Sequence, residues 1–148
     1  MKISFKHYSE LSVDELYDIL KLRSEIFVVE QNCVYNDMDD LDKLAVHLQI
    51  KNGFELIGYA RLLKPGTRFS DYSIGRLVVK ESERGNGIGI FAMEEAKKYM
   101  IEHWNSKIIK VSAQQYLQRF YEDLGFQVVT DVYLEDGIPH VGMSFKLT

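Results

Sequence analysis

Residues 83–96, "ERGNGIGIFAMEEA", set Gly85, Gly87 and Gly89 at alternate positions between a run of β-branched residues and a regular helical pattern. Glycine carries no Cβ, so the amides of such a stretch stay open to close approach by a ligand. At a helix start those donors have no partner within the helix, and the helix dipole favours an anion there. The chemistry that uses such a row is the binding of phosphate or pyrophosphate. Two familiar phosphate loops are excluded by spacing. A P-loop needs Lys followed by Ser or Thr after its last glycine, where this chain has Ile90-Phe91. A dinucleotide fingerprint needs a glycine three positions after its second, where Ile90 stands. The plain alternative is a flexible strand-to-helix connection, for which three glycines and Arg84 are more than is needed.

A second stretch, "NDMDDLD" at 36–42, concentrates acid without helical or strand period. Read from Asp37 as a calcium loop it fails, because the sixth position needs glycine and holds Asp42. It reads as a solvated loop, and, more sharply, as a source of negative potential for a cationic ligand. That sharper reading predicts that replacing Asp39 and Asp40 by asparagine raises KM for such a ligand.

The elements that must position these residues follow from periodicity. Ile3, Phe5 and His7 alternate as a strand, and Ser12 with Glu15 has capping-box spacing for a helix carrying Leu16, Ile19, Leu20, Arg23 and Phe27. Residues 44–50 and 54–63 are β-rich runs joined through Asn52-Gly53, a hairpin signal, and 71–80 reads as a third strand with a bulge at Gly75. After the glycines come a helix, the strand "IIKV" at 108–111, a helix bearing Leu117, Phe120, Tyr121 and Leu124 that ends at Gly125, and two strands joined through "EDGIP" at 135–139. The order predicts an α/β (α+β) domain spanning 1–148: one mixed, mostly antiparallel sheet of about six to seven strands with helices on both faces.

Composition narrows the function classes. With 148 residues and 46% hydrophobic content the chain suits one cored domain. A net charge of -4 argues against nucleic acid or an anionic membrane as partner. No apolar run approaches the roughly 20 residues of a bilayer span. The single cysteine, Cys33, allows no internal disulfide and no cysteine-based metal site, and it reads as a small buried side chain. With no secretory leader pattern, the expectation is a cytoplasmic protein that uses no metal.

Arg84-Gly85-Asn86-Gly87-Ile88-Gly89, five residues after Val79, resembles the acyl-CoA-binding motif of the GNAT superfamily of N-acetyltransferases. "AQQYLQRFYEDLGF" at 113–126 resembles that superfamily's later Tyr-x-x-x-Gly-Phe segment, while "LRSEIFVVEQNCVYNDMDDLD" and "EDGIPHVGM" resemble its ElaA-like branch. The resemblance implies acetyl-CoA as cosubstrate and a primary amine, cationic before reaction, as acceptor. It implies that the amides from Arg84 through Gly85, Asn86, Gly87, Ile88 and Gly89 to Ile90 hold the pyrophosphate. The main chain of Leu77, Val78 and Val79 would pair with the pantetheine arm, and Val78 or Val79 would offer an N–H to the carbonyl oxygen. It further implies that Tyr121 protonates the leaving thiolate, with Tyr116 as the weaker choice. Two positions depart from the pattern: Glu81 stands where proline is frequent, and Ala113-Gln114 where asparagine is.

An amine with a pKa near ~10 must lose a proton before it attacks. The base candidates are Glu30, where partial burial after an apolar helix end would raise the carboxyl, together with His47 and His140. A non-catalytic acyl-CoA-binding module and a binder of another nucleotide are the competing readings. Pairing of the terminal strands into a homodimer is open, and no pattern requires it.

Overall fold

Ser12 starts the first helix as its spacing predicts. The Ser12 hydroxyl accepts from the Glu15 amide and the Glu15 carboxylate accepts from the Ser12 amide, each at 3.0 Å. In the computed structural model, which describes all 148 residues, the elements are β1 (Lys2–His7), α1 (Val13–Arg23), β2 (Val46–Asn52), β3 (Glu55–Leu63), β4 (Tyr72–Val79), α2 (Ile88–Trp104), β5 (Ile108–Gln114), α3 (Gln118–Asp123), β6 (Gln127–Val128), β7 (Tyr133–Glu135) and β8 (Ile138–Lys146). Beyond α1 the coil widens rather than stopping. Residues Ser24–Glu30 form a π-helical stretch in which the Gln31 amide bonds the Ile26 carbonyl at 3.1 Å. Such widening shifts the side-chain phase, and it is frequent at functional sites.

The strands form one sheet in the order β1-β2-β3-β4-β5-β8-β6, with β7 paired to β8. All pairs are antiparallel except β4 with β5. The mixed, mostly antiparallel sheet agrees with the expectation. The count is eight because β6, two residues long, is too short to show alternation. Neighbours along β3 divide the core: Ala60 and Leu62 face α2, whereas Tyr59 packs with Ile19 and Leu22 of α1 and with Val78. Helices therefore cover both faces.

Two local details differ from the sequence reading. The hairpin turn is Gly53-Phe54, with Gly53 at φ +63°, one residue past the Asn52-Gly53 signal, and a register shift lies beside it at Ile50/Lys51. In β4, Gly75 pairs with Arg61 and Val78 with Tyr59, so two residues, Arg76 and Leu77, oppose Ala60 alone. The bulge is thus one position past Gly75, and the left-handed backbone belongs to Arg76 at φ +52°. A non-glycine residue there is strained. Asp37 holds it, accepting from Arg76 Nε at 2.7 Å.

Candidate functional site

The glycine turn is built as an anion cradle. Gly85 and Gly87 have φ of +85° and +76°, a region in which L side chains are strained, and an ideal Cβ on either meets nothing within 4 Å. Gly87 caps α2, and the first helical bond runs from the Phe91 amide to the Gly87 carbonyl at 3.0 Å. The amides of residues 85 to 90 donate to no protein group, whereas the Arg84 amide is engaged with the Glu81 carbonyl at 3.3 Å. The row of free donors therefore begins at Gly85, one residue later than the sequence reading. Gly58 allows the close packing beneath it: a Cβ there would stand 3.0 Å from Ile88 Cγ2.

From this turn a cleft of about 750 Å³ runs between β4 and β5. These strands pair only at Tyr72 with Ile109 and at Ser73 with Lys110. Past Ser73 the bulge at Arg76 turns β4 away, which leaves the facing edge of β4 without strand partners. Leu77, Val78 and Val79 line this opening, as do Ser112 and Gln114 on β5. Gln114 donates to Gln31 Oε1 at 3.2 Å, tying β5 to the end of the π-helical stretch.

Tyr121 and His140 both face the cleft. Tyr121 is the third residue from the end of α3 in a Schellman closure: the Phe126 amide bonds the Tyr121 carbonyl at 3.1 Å and Gly125, at φ +93°, follows the helix. Its ring lies edge-on to Phe120 and Phe126, and no hydrogen bond to a protein group acts on its hydroxyl. Burial pushes this phenol up to about 12. His140, from β8, bonds the Ile138 carbonyl through Nδ1 at 2.7 Å. A carbonyl only accepts, so Nδ1 carries the hydrogen and neutral His140 keeps its lone pair on Nε2. That nitrogen is 3.5 Å from Glu135 Oε2. Glu135 also receives Arg68 and, at 3.3 Å, the Ser112 hydroxyl, which is 2.5 Å from the Tyr133 hydroxyl.

A turn of free amides, a strand splayed by a bulge, and a tyrosine and histidine beyond the opening form one continuous surface. Residues 7–147 match the family described as acetyltransferase (GNAT) domain. The chain belongs to the GNAT acetyltransferase family. It is 45% identical over 140 residues to protein ElaA of Escherichia coli, with 93% of this chain and 92% of that protein covered. The crystal structure of Escherichia coli ElaA superposes with a TM-score of 0.90 over 99% of this chain and 100% of that one, at 40% identity. An acyl-CoA N-acyltransferase from Pseudomonas aeruginosa superposes with a TM-score of 0.92 at 40% identity, over 98% and 99% of the two chains.

Several expectations for this GNAT chain are corrected by their surroundings. Glu30 is exposed rather than buried, and the Arg84 guanidinium grips it at 2.5 and 2.7 Å. The Arg84 hydrogen bonds hold its carboxyl below the ordinary value, the reverse of the raised pKa expected of it, although Glu30 does line the cleft. His47 lies outside the cleft, fully buried between the Tyr59 hydroxyl at 2.7 Å and the Asp42 carbonyl at 2.8 Å, and burial pushes its pKa down. Tyr116 lines the cleft but is exposed. Cys33 is half-buried, with its thiol 3.3 Å from the Asp136 carbonyl. No group of three or more His, Cys, Asp or Glu side chains is arranged to hold a metal ion, and no helix is long and apolar enough to cross a membrane.

Three of the four aspartates in the acidic stretch are also already engaged, and only Asp40 is exposed without a partner. Asp37 and Asp42 bind the fully buried Arg23 at 2.8 and 2.7 Å, and Asp39 grips the equally buried Arg61 at 2.8 and 2.9 Å. No local pattern marks these pairs, because Arg23 and Arg61 are distant in sequence from the acids and sit in ordinary helix and strand patterns. Burial pushes Asp39 upward, but Arg61 outweighs it and holds the carboxyl at about 2. A lowered pKa gives stability that is complete above the ordinary value of 3.8 and lost as pH falls toward about 2. Asp39→Asn should therefore lower Tm at pH 7 by about 4 °C and flatten the fall of Tm below pH 4, with KM for an amine unchanged. Thermal melts across pH 2–7 check this; a variant curve parallel to the parent's would remove Asp39 from acid stability.

Proposed function

We propose that the chain transfers an acetyl group from acetyl-CoA to a primary amine by direct attack within a ternary complex. The observation that carries this reading is the continuity of the cleft from the free amides of residues 85–90 to His140 Nε2. Those amides suit a pyrophosphate, and the unpaired edge of Leu77 to Val79 suits the amides of a pantetheine arm, which would add to β4 like a strand. A backbone N–H of Val78 or Val79 then stabilises charge on the thioester oxygen.

His140 takes a proton from the ammonium at Nε2, and the imidazolium so formed faces Glu135. The freed nitrogen bonds to the carbonyl carbon as the carbon–sulfur bond breaks. The sulfur leaves as thiolate, steadied by a hydrogen bond from the Tyr121 hydroxyl, and takes the nitrogen's second proton. Calorimetric titration with acetyl-CoA, paired with a thiol-release assay over an amine panel, tests the reading. Binding with amine-dependent release supports it. Binding without release across the panel turns the protein into an acyl-CoA-binding module, and absence of binding removes the donor.

Glu30 has a definite effect in this scheme. It neutralises the one arginine of the cradle, so Glu30→Gln should tighten acetyl-CoA binding by about threefold at low ionic strength, with the gain shrinking as salt rises. A calorimetric salt series checks it; weaker binding in the variant would instead mean that the ion pair shapes the turn.

A further inference from the structure

Among the charged side chains that line the cleft are Arg68, Arg76, Glu135 and Asp136, with Glu135 3.5 Å from His140. Their protein bonds show what is left for a ligand. Arg68 gives Nη2 to Glu135, and its Nε and Nη1 have no protein acceptor. Arg76 gives Nε and Nη2 to Asp37 and Nη2 to Asp39 at 3.5 Å, leaving Nη1. The Asp136 carboxylate accepts from nothing, on an exposed residue held at φ +51° in the turn before β8. Shared neighbours link these groups. Asp136 follows Glu135 in the chain, its carbonyl takes the Cys33 thiol at 3.3 Å, and Tyr35 bonds at 3.1 Å to the same Asp37 that anchors Arg76.

The unused groups at this end thus comprise guanidinium N–H donors on two arginines and one carboxylate. A ligand with only positive charge would meet two arginines, and the acids at 37, 39 and 42 are already paired with arginine. A ligand with only negative charge would meet Asp136 and Glu135. A ligand carrying both signs satisfies both sets, since guanidinium groups bind carboxylates and carboxylates bind ammonium. Resting on the N-acetyltransfer reading, we propose that the acceptor is a small amine bearing a carboxylate in the same molecule. The carboxylate is received by the free nitrogens of Arg68 and Arg76, and the ammonium by Asp136 and Glu135 beside His140.

The test is thiol release from acetyl-CoA with a set of α-amino acids, their carboxamides and their decarboxylated amines, for the parent, Arg68→Gln and Asp136→Asn. Without recognition the carboxamides win, because their amines deprotonate near ~8 against ~10 for simple amines. The expected result is the reverse: the best acid exceeds its carboxamide at least tenfold in kcat/KM, chiefly through KM, and Arg68→Gln brings the ratio near one. Asp136→Asn raises KM for all three classes. Calorimetry of the best acid with CoA-saturated protein gives a second readout, lost in Arg68→Gln, and thermal melts verify that both variants fold. Carboxamides or simple amines turned over as well as acids would overturn the acceptor class and leave the acetyltransfer reading standing. Release with none of the three classes, from protein that binds acetyl-CoA, would overturn both.

Discussion

Gly87→Glu is expected to weaken acetyl-CoA binding at least about 100-fold while the protein stays folded. Steric obstruction within the protein is not the cause, since an added Cβ at this position meets nothing within 4 Å. Two electrostatic effects act together. A carboxylate at the N-cap of α2 can accept from the amides of Gly89 or Ile90, the donors a phosphate would otherwise use. It also sets a negative charge where the helix dipole would stabilise the ligand's. The left-handed backbone adds a strain of about 1–2 kcal/mol for any L side chain, which lowers Tm without touching the donors. Gly87→Asn separates these terms, because asparagine tolerates this conformation and is uncharged. Its binding should fall by less than about tenfold. Calorimetry on both variants decides: glutamate binding within threefold of the parent would mean that the anion sits elsewhere.

What the sequence made legible was local. Glycine at alternate positions before a helical period has few physical uses, so the cradle, the Ser12 cap and the Gly125 closure could each be read from a few neighbouring residues. What it concealed depends on where distant segments meet. Glu30 looked like a base because its neighbours are apolar, yet the π-helical stretch delivers it to the surface beside Arg84, 54 positions away. Asp37, Asp39 and Asp42 looked solvated because arginines at 23, 61 and 76 carry no mark of being their partners. The bulge was misplaced by one residue for a related reason. Glycine is the usual occupant of left-handed backbone, and here the Asp37 ion pair lets Arg76 adopt it instead. No local pattern marks Ser112, Tyr133 and Glu135 as a group, because they come together only when β7, β8 and β5 pair, and Arg68 joins them from the connection between β3 and β4. The turn "EDGIP" was the one local signal.

Tyr121→Phe is expected to lower kcat by about 10- to 100-fold, with acetyl-CoA affinity and Tm close to the parent's. The stability expectation follows from packing: the ring keeps its contacts with Phe120 and Phe126, and no protein hydrogen bond acts on the lost hydroxyl. The rate expectation turns on how far the proton moves. A full general-acid step contributes typically 10²–10⁴-fold, but it requires a donor near the acidity of the group it protonates. Burial pushes Tyr121 to about 12, well above the ~8.5 of an ordinary alkyl thiol, so complete transfer to sulfur runs uphill. The phenol is therefore better suited to donating a strong hydrogen bond to the developing thiolate, an interaction worth about 1.5–3 kcal/mol toward a charged partner, or about 10- to 100-fold in rate. In the proposed reaction the proton itself comes from the reacting nitrogen. The same raised pKa implies that no alkaline limb from Tyr121 enters the kcat profile below about pH 11. Steady-state kinetics with pH profiles on the parent and the variant separate the cases: a fall near 10⁴-fold would restore Tyr121 as the proton donor, and kcat within twofold of the parent would leave it as a core aromatic that happens to line the cleft.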